Sequence, residues 1–185
     1  MTISKKTQKY IVVAVIVLSA ALLVIYPYYE LRYADSRTDC FPYKVWLIDK
    51  TDKTPVVGDF IVFRTPAAVS HIPAHKTWVK KVLADAGAKI NVTSAGNGEL
   101  YPVTVSGMEK KLPVRARVTV EQNKVRETFI AFAVDSMGRS LPVIGSQTIP
   151  VGHYYAYSPV ERSYDSRYWG LVRQNAIIGK AYPVF

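Results

Sequence analysis

Two lysines stand side by side in an otherwise apolar stretch, "TWVKKVL" at residues 77–83, and the chain's single cysteine, Cys40, sits in "TDCFP" at 38–42. Alternation along a strand sends Lys80 and Lys81 to opposite faces, so one of them enters the apolar side. A buried lysine without a partner is costly unless it gives up its proton. A fall from about 10.4 to near 7 costs roughly 4 to 5 kcal/mol, and a fold that bears this cost gains an amine able to act as general base. The bland alternative is two solvated strand lysines. A third stretch, "SYDSRYWGLV" at 163–172, spaces Ser163, Asp165 and Arg167 two residues apart. On a strand that spacing predicts one polar row, which needs a purpose if it is buried.

These residues need elements to hold them. The chain has 185 residues, enough for one domain and a tail. From Tyr10 to Tyr28 no side chain is charged, and that length as a helix predicts a bilayer span over 10–28. Lys5, Lys6 and Lys9 precede it and predict a cytoplasmic N-terminus at 1–9. Residues 29–185 are then expected outside the cytoplasm, periplasmic in a Gram-negative cell, with an inner-membrane anchor. A cleaved signal peptide shares the basic start, but this apolar run is long for one. Short β-like pieces follow, among them "KVWLID", "DFIVFRT", "KINVTS", "ARVTVEQ", "TFIAFAVD", "HYYAYS" and "YWGLV", punctuated by Gly and Pro. The expected fold is mainly β, a coiled antiparallel, barrel-like sheet arrangement, with a β insertion over about 84–147.

The net charge of +10 favours anionic partners. Nucleic acid is not among the expected ones, because no helix-turn-helix, zinc spacing or interleaved basic-aromatic motif occurs; membrane lipid is. One cysteine excludes an intramolecular disulfide, and three histidines with one cysteine show no ligand spacing, so neither metal nor cofactor is expected.

Taken in order, "TDCFP", "VVGDFIVFR" (56–64), "WVKKV" and "IPVGHYY…SYDSRYWGLV" resemble the boxes of the type I signal peptidase family. These are membrane-anchored serine proteases with a Ser-Lys dyad on a coiled β-fold. The resemblance covers roughly residues 36–180 and rests most firmly on "DSRYWG". It implies Lys80 as general base, Ser163 as the hydroxyl orienting that lysine, and Asp165 with Arg167 as a salt-bridged structural pair. It also implies Thr38 as an oxyanion donor alongside the backbone N–H of Cys40, although Thr38 serves equally well as a turn residue. The family's nucleophilic serine is replaced: Cys40 stands two residues before Pro42, where the conjugative-transfer (TraF-type) branch has Ser-x-Pro.

A Cys40-Lys80 dyad is chemically competent, since a thiolate attacks carbonyls well and leaves readily. The resemblance implies a propilin-like exported precursor as substrate, cleaved after small residues and in some relatives joined into a ring, with mating-apparatus components as further partners. A silent relative kept as a scaffold in pilus or secretion assembly is the alternative. A Cys-His hydrolase using His71, His75 or His153 is a weaker one, and Asp135 is expected to form a turn rather than assist a dyad.

Overall fold

A computed structural model describes residues 4–33, 40–65, 76–105 and 107–185. Ser4 begins it as a helix cap, its side chain accepting the Thr7 amide at 3.2 Å ahead of α1 (Lys5–Ile25). Lys6–Ile25 has a mean hydropathy of 2.3, is long and apolar enough to cross a membrane, and is covered by none of the other described residues. An apolar helix exposed on every side needs another apolar phase to bury it. The helix takes in Lys6 and Lys9 and stops at Ile25, short of the Tyr28 limit expected, because Pro27 lacks the amide that would continue the ladder.

Twelve strands follow among the described residues: β1 (Tyr29–Tyr33), β2 (Val45–Asp49), β3 (Phe60–Arg64), β4 (Thr77–Ala84), β5 (Lys89–Ser94), β6 (Leu100–Val105), β7 (Met108–Gln122), β8 (Val125–Phe132), β9 (Gln147–Thr148), β10 (His153–Tyr157), β11 (Val172–Arg173) and β12 (Ile177–Pro183). One sheet runs β1-β2-β12-β3-β4-β10-β11; the other runs β6-β7-β5-β9, with β8 also on β7. The pairings are antiparallel. The expected mainly β, antiparallel architecture is present, but neither sheet closes into a barrel.

The long β7–β8 hairpin turns at Asn123 and Lys124, both with positive φ, which matches the twist of the flanking strands. Its inward side chains, Ala116, Val118, Val120 and Phe132, join Ile90 and Tyr155 in the largest core cluster. The seven-stranded sheet packs Ile61, Phe63 and Val82 against Trp169 and Val172 on one side, and Trp46, Ile48 and Val62 on the other.

Two sequence expectations need correction. The segment holding Ser163, Asp165 and Arg167 is not a strand: Asp165 caps a single helical turn, α2 (Ser166–Trp169), and accepts the Arg167 amide at 3.2 Å. An Asp with a free amide two residues on favours this local bond over extension. "YWGLV" likewise supplies only Val172 to a strand, since Trp169 ends the helical turn and Gly170 follows at φ +85°. Conversely β12, which no sequence signal marked, is central. It carries Gly179 in mid-strand, normally a weakness; here a Cβ would overlap the Asp49 carbonyl, so glycine is what lets the strand in.

Candidate active site

β4 settles the two lysines. Its alternation buries Lys80 completely and leaves Lys81 exposed. On the inward face the Lys80 amine meets two groups brought from distant parts of the chain. Nζ donates to Ser163 Oγ at 2.5 Å and to Cys40 Sγ at 3.5 Å, while Sγ and Ser163 Oγ lie 3.7 Å apart. Three side chains separated by 40 and 83 positions therefore converge around one nitrogen. Ile61, facing Lys80 across the β3–β4 ladder, and the Trp78 indole, 5.7 Å from the amine, make the surroundings apolar.

Cys40 is half-buried and opens the described part of a bend over 40–42 ahead of β2. The next residue fastens it: the Phe41 ring stands edge-on to Phe60 at 5.0 Å and to Trp46 at 6.1 Å. Aromatic contacts of this kind contribute about 0.5–1.5 kcal/mol beyond area burial. On the other side Ser158, fully buried after the last residue of β10, donates its hydroxyl to the Cys40 carbonyl at 2.9 Å. Sequence reasoning did not single out Ser158. In the structure Ser158 continues the period-two row that buries Tyr154 and Ala156. Thr38 lies outside the described residues, as do His71 and His75.

Ser163 reaches the amine from the segment that Asp165 and Arg167 hold. Both are fully buried and joined bidentately, Nε to Oδ1 and Nη2 to Oδ2, each at 2.8 Å. The guanidinium also donates to the carbonyls of Ser163 at 3.0 Å and Val160 at 3.4 Å, and to Ile130 of β8 at 2.7 Å. Burial works against the charged guanidinium, but the facing Asp165 carboxylate outweighs it and holds the Arg167 pKa above its ordinary value. The buried Ser166 hydroxyl adds a bond from the Ala156 amide at 2.9 Å, tying the helical turn to β10. The pair thus locks the main chain on either side of Ser163.

Other candidates sit elsewhere. His153 opens β10 opposite Arg173 and its ring contacts the Val151 carbonyl at 3.1 Å, at the far end of the strand from Ser158. Asp135 accepts the Met137 and Arg139 amides and the Arg139 side chain, as a turn residue does. Gly58 (φ +101°) turns the chain into β3, and Asp59 holds Lys180 at 2.9 Å. Among the described residues no cluster of His, Cys, Asp and Glu is suited to a metal. Beside Phe41 opens a cleft of about 490 Å³, lined by Val57, Phe60, Lys81, Leu83 and Tyr157 among others.

The described residues thus combine an N-terminal helix long and apolar enough to cross a membrane, two open antiparallel sheets, and a buried amine that contacts both a thiol and a hydroxyl. Residues 4–185 match the family model for signal peptidase, peptidase S26, and the chain belongs to that family. It is 21% identical over 153 residues to the conjugal transfer protein TraF of Agrobacterium fabrum, covering 83% of this chain and 82% of the relative. With the probable conjugal transfer protein TraF of Sinorhizobium fredii it shares 26% over 152 residues, covering 82% and 76%. A TraF of Agrobacterium tumefaciens is 23% identical over 154 residues, covering 83% and 82%.

Proposed function

We propose that this protein is a membrane-anchored endopeptidase of the signal peptidase type, working in conjugation, in which Cys40 is the nucleophile and Lys80 the general base. The single observation that carries the reading is the buried Lys80 amine, 3.5 Å from Cys40 Sγ and fixed from behind by Ser163. The support for conjugation is the likeness to TraF proteins across most of both chains.

Lys80 takes the thiol proton as Sγ attacks the scissile carbonyl. The backbone N–H of Cys40, together with the Thr38 hydroxyl, stabilises the oxyanion on this reading. Collapse of the tetrahedral intermediate breaks the C–N bond, and Lys80 returns the proton to the departing amine. That leaves a thioester on Cys40. Water then attacks with Lys80 again as base, releasing the new carboxyl terminus and restoring the thiol. If the substrate's own amine attacks instead, the product is a ring. The apolar cleft beside Phe41 suits an extended precursor with small side chains at the cut. Residues 1–9 are cytoplasmic and 29–185 periplasmic on this reading, with α1 in the inner membrane, so precursors reach the site as they emerge. The basic surplus favours anionic lipid at that surface.

The test is co-expression of the full-length protein with a conjugative propilin, comparing wild type with Cys40→Ala and Lys80→Ala by mass spectrometry of the product. Cleavage by wild type and loss in both variants is expected. A ring is lighter than the linear product by one water. A wild type that cleaves nothing while binding the propilin would instead favour a scaffold role.

A further inference from the structure

We propose that Ser158 is a positioning residue for Cys40, holding the backbone of the nucleophile in the orientation that aims its sulfur at Lys80. The inference rests on the reading of Cys40 and Lys80 given above and adds a residue to it.

The register of the seven-stranded sheet makes the case. β10 pairs with β4 at Ala156↔Val82 and Tyr157↔Lys81. Ser158 follows the last paired residue of β10, and continuing that register by one position brings it level with Lys80, where residues of an antiparallel pair point to the same face. Both are fully buried. β4 and the residue just past β10 thus present an amine and a hydroxyl to the same cysteine. The amine faces the sulfur at 3.5 Å, and the hydroxyl grips the main-chain carbonyl at 2.9 Å.

That second contact acts on a different degree of freedom from the others. Lys80 and Ser163 address the thiol, whose direction is set by χ1 once the backbone is fixed. Phe41 holds the chain one residue on through its ring, a contact that does not itself set the Cys40–Phe41 peptide plane. A hydrogen bond to the Cys40 carbonyl fixes that plane, hence ψ of Cys40 and the line of its Cα–Cβ bond. Cys40 lies in a bend rather than a strand, so no sheet ladder does this for it. A misplacement of about 1 Å in a reacting group lowers rate by as much as about 10²-fold.

Ser158 also joins the nucleophile to the segment that orients the base. It begins the stretch ending at Ser163, and the Arg167 guanidinium clasps the carbonyls of Val160 and Ser163 within that stretch. One braced loop therefore carries the hydroxyl that holds Cys40 at one end and the hydroxyl that holds Lys80 at the other.

The experiment uses the full chain in detergent micelles, an internally quenched peptide with small residues before the scissile bond, and iodoacetamide as the probe of Cys40. Ser158→Ala removes one oxygen and is compared with Ser158→Thr, which keeps the hydroxyl, and with Cys40→Ala; thermal melts confirm that each is folded. Expected for Ser158→Ala is a fall in kcat of about 10–100-fold with KM little changed. Cys40 alkylation should slow across the pH range, and Ser158→Thr should recover most of both. Wild-type kcat and alkylation in Ser158→Ala overturn the proposal while leaving the peptidase reading intact, provided Cys40→Ala is inactive. Equal losses in the alanine and threonine variants also overturn it, since they report packing rather than the hydroxyl. Cleavage that survives Cys40→Ala overturns the nucleophile reading instead, and the alkylation rates alone then decide whether Ser158 holds Cys40.

Discussion

The two sheets solve opposite problems. In the five-stranded sheet the strands alternate regularly: β7 buries Leu112, Val114, Ala116, Val118 and Val120 and turns the residues between them outward. Its charged side chains stay on the surface, as in the Arg117–Glu99 and Arg126–Glu121 pairs. The seven-stranded sheet and the α2 segment packed on it instead bury Lys80, Ser158, Ser163, Asp165, Ser166 and Arg167. Every one of these has a partner. Burial of polar groups is tolerable only with such pairing. One sheet is a packing platform, and the other spends stability on burying paired polar side chains. The two meet at the α2 segment, where Arg167 donates to the Ile130 carbonyl and the Tyr168 hydroxyl receives the Phe132 amide at 3.0 Å, both from β8.

If that contrast is right, substitutions in the two regions should fail differently. The largest effect belongs to Lys80→Ala: peptide cleavage should fall by about 10²–10⁴-fold, the usual share of a general base, while Lys81→Ala next to it costs far less. Steady-state kinetics of the two variants would sharpen the comparison, and equal losses would break it.

Next comes Arg167→Met. It leaves the Asp165 carboxylate buried without its partner, which typically costs about 3–5 kcal/mol. Urea unfolding should show that loss, and pairing the change with Asp165→Asn should recover part of it. An additive double variant would mean that the two side chains do not act as a pair.

Gly179→Ala tests the sheet rather than the site. A methyl group driven against the Asp49 carbonyl should destabilise the protein by about 1–3 kcal/mol, with the midpoint of thermal unfolding as the readout. Val118→Ala, in the other sheet, should cost a similar amount by leaving a cavity, with little effect on kcat.

The smallest effect concerns pH. Lys180 bonds both Asp52 and Asp59, at 2.8 and 2.9 Å. The Lys180 hydrogen bond, aided by the Thr54 amide, lowers the Asp52 pKa to about 2. A carboxylate with a depressed folded pKa contributes stability above its unfolded value of 3.8, and loses it as pH falls through about 2. Asp52 is partly exposed, so the contribution should stay below about 1 kcal/mol. Asp52→Asn should lower stability by up to that amount above about pH 4, and the difference from wild type should shrink as pH falls through about 2.

Much was legible in the residues. Short apolar, β-branched and aromatic pieces bounded by Gly and Pro marked β2 through β5, β7, β8 and β10, because such residues fit a pleated, half-buried surface. Strand alternation said that one of Lys80 and Lys81 had to be inside, and the uncharged stretch before Tyr28 announced a bilayer-length helix. Glycine was misleading at Gly179: the sequence shows a strand weakener, and only the approach of the Asp49 carbonyl shows why it belongs there. Asp165 was misplaced for a local reason, since a capping carboxylate and a strand residue share the same spacing on paper until the backbone is seen.

By itself the sequence determined the mainly β class, the apolar helix, and which residues had chemistry to offer. Tertiary structure decided which of them meet. Hydropathy is a property of neighbours along the chain, whereas the contacts of Cys40 with Lys80, Ser158 and Ser163 depend on strand order and register across some 40 to 120 positions. The buried hydroxyl of Ser158 is the clearest case. Its residue type is unremarkable in sequence, and its partner is a main-chain carbonyl that no side-chain pattern reveals.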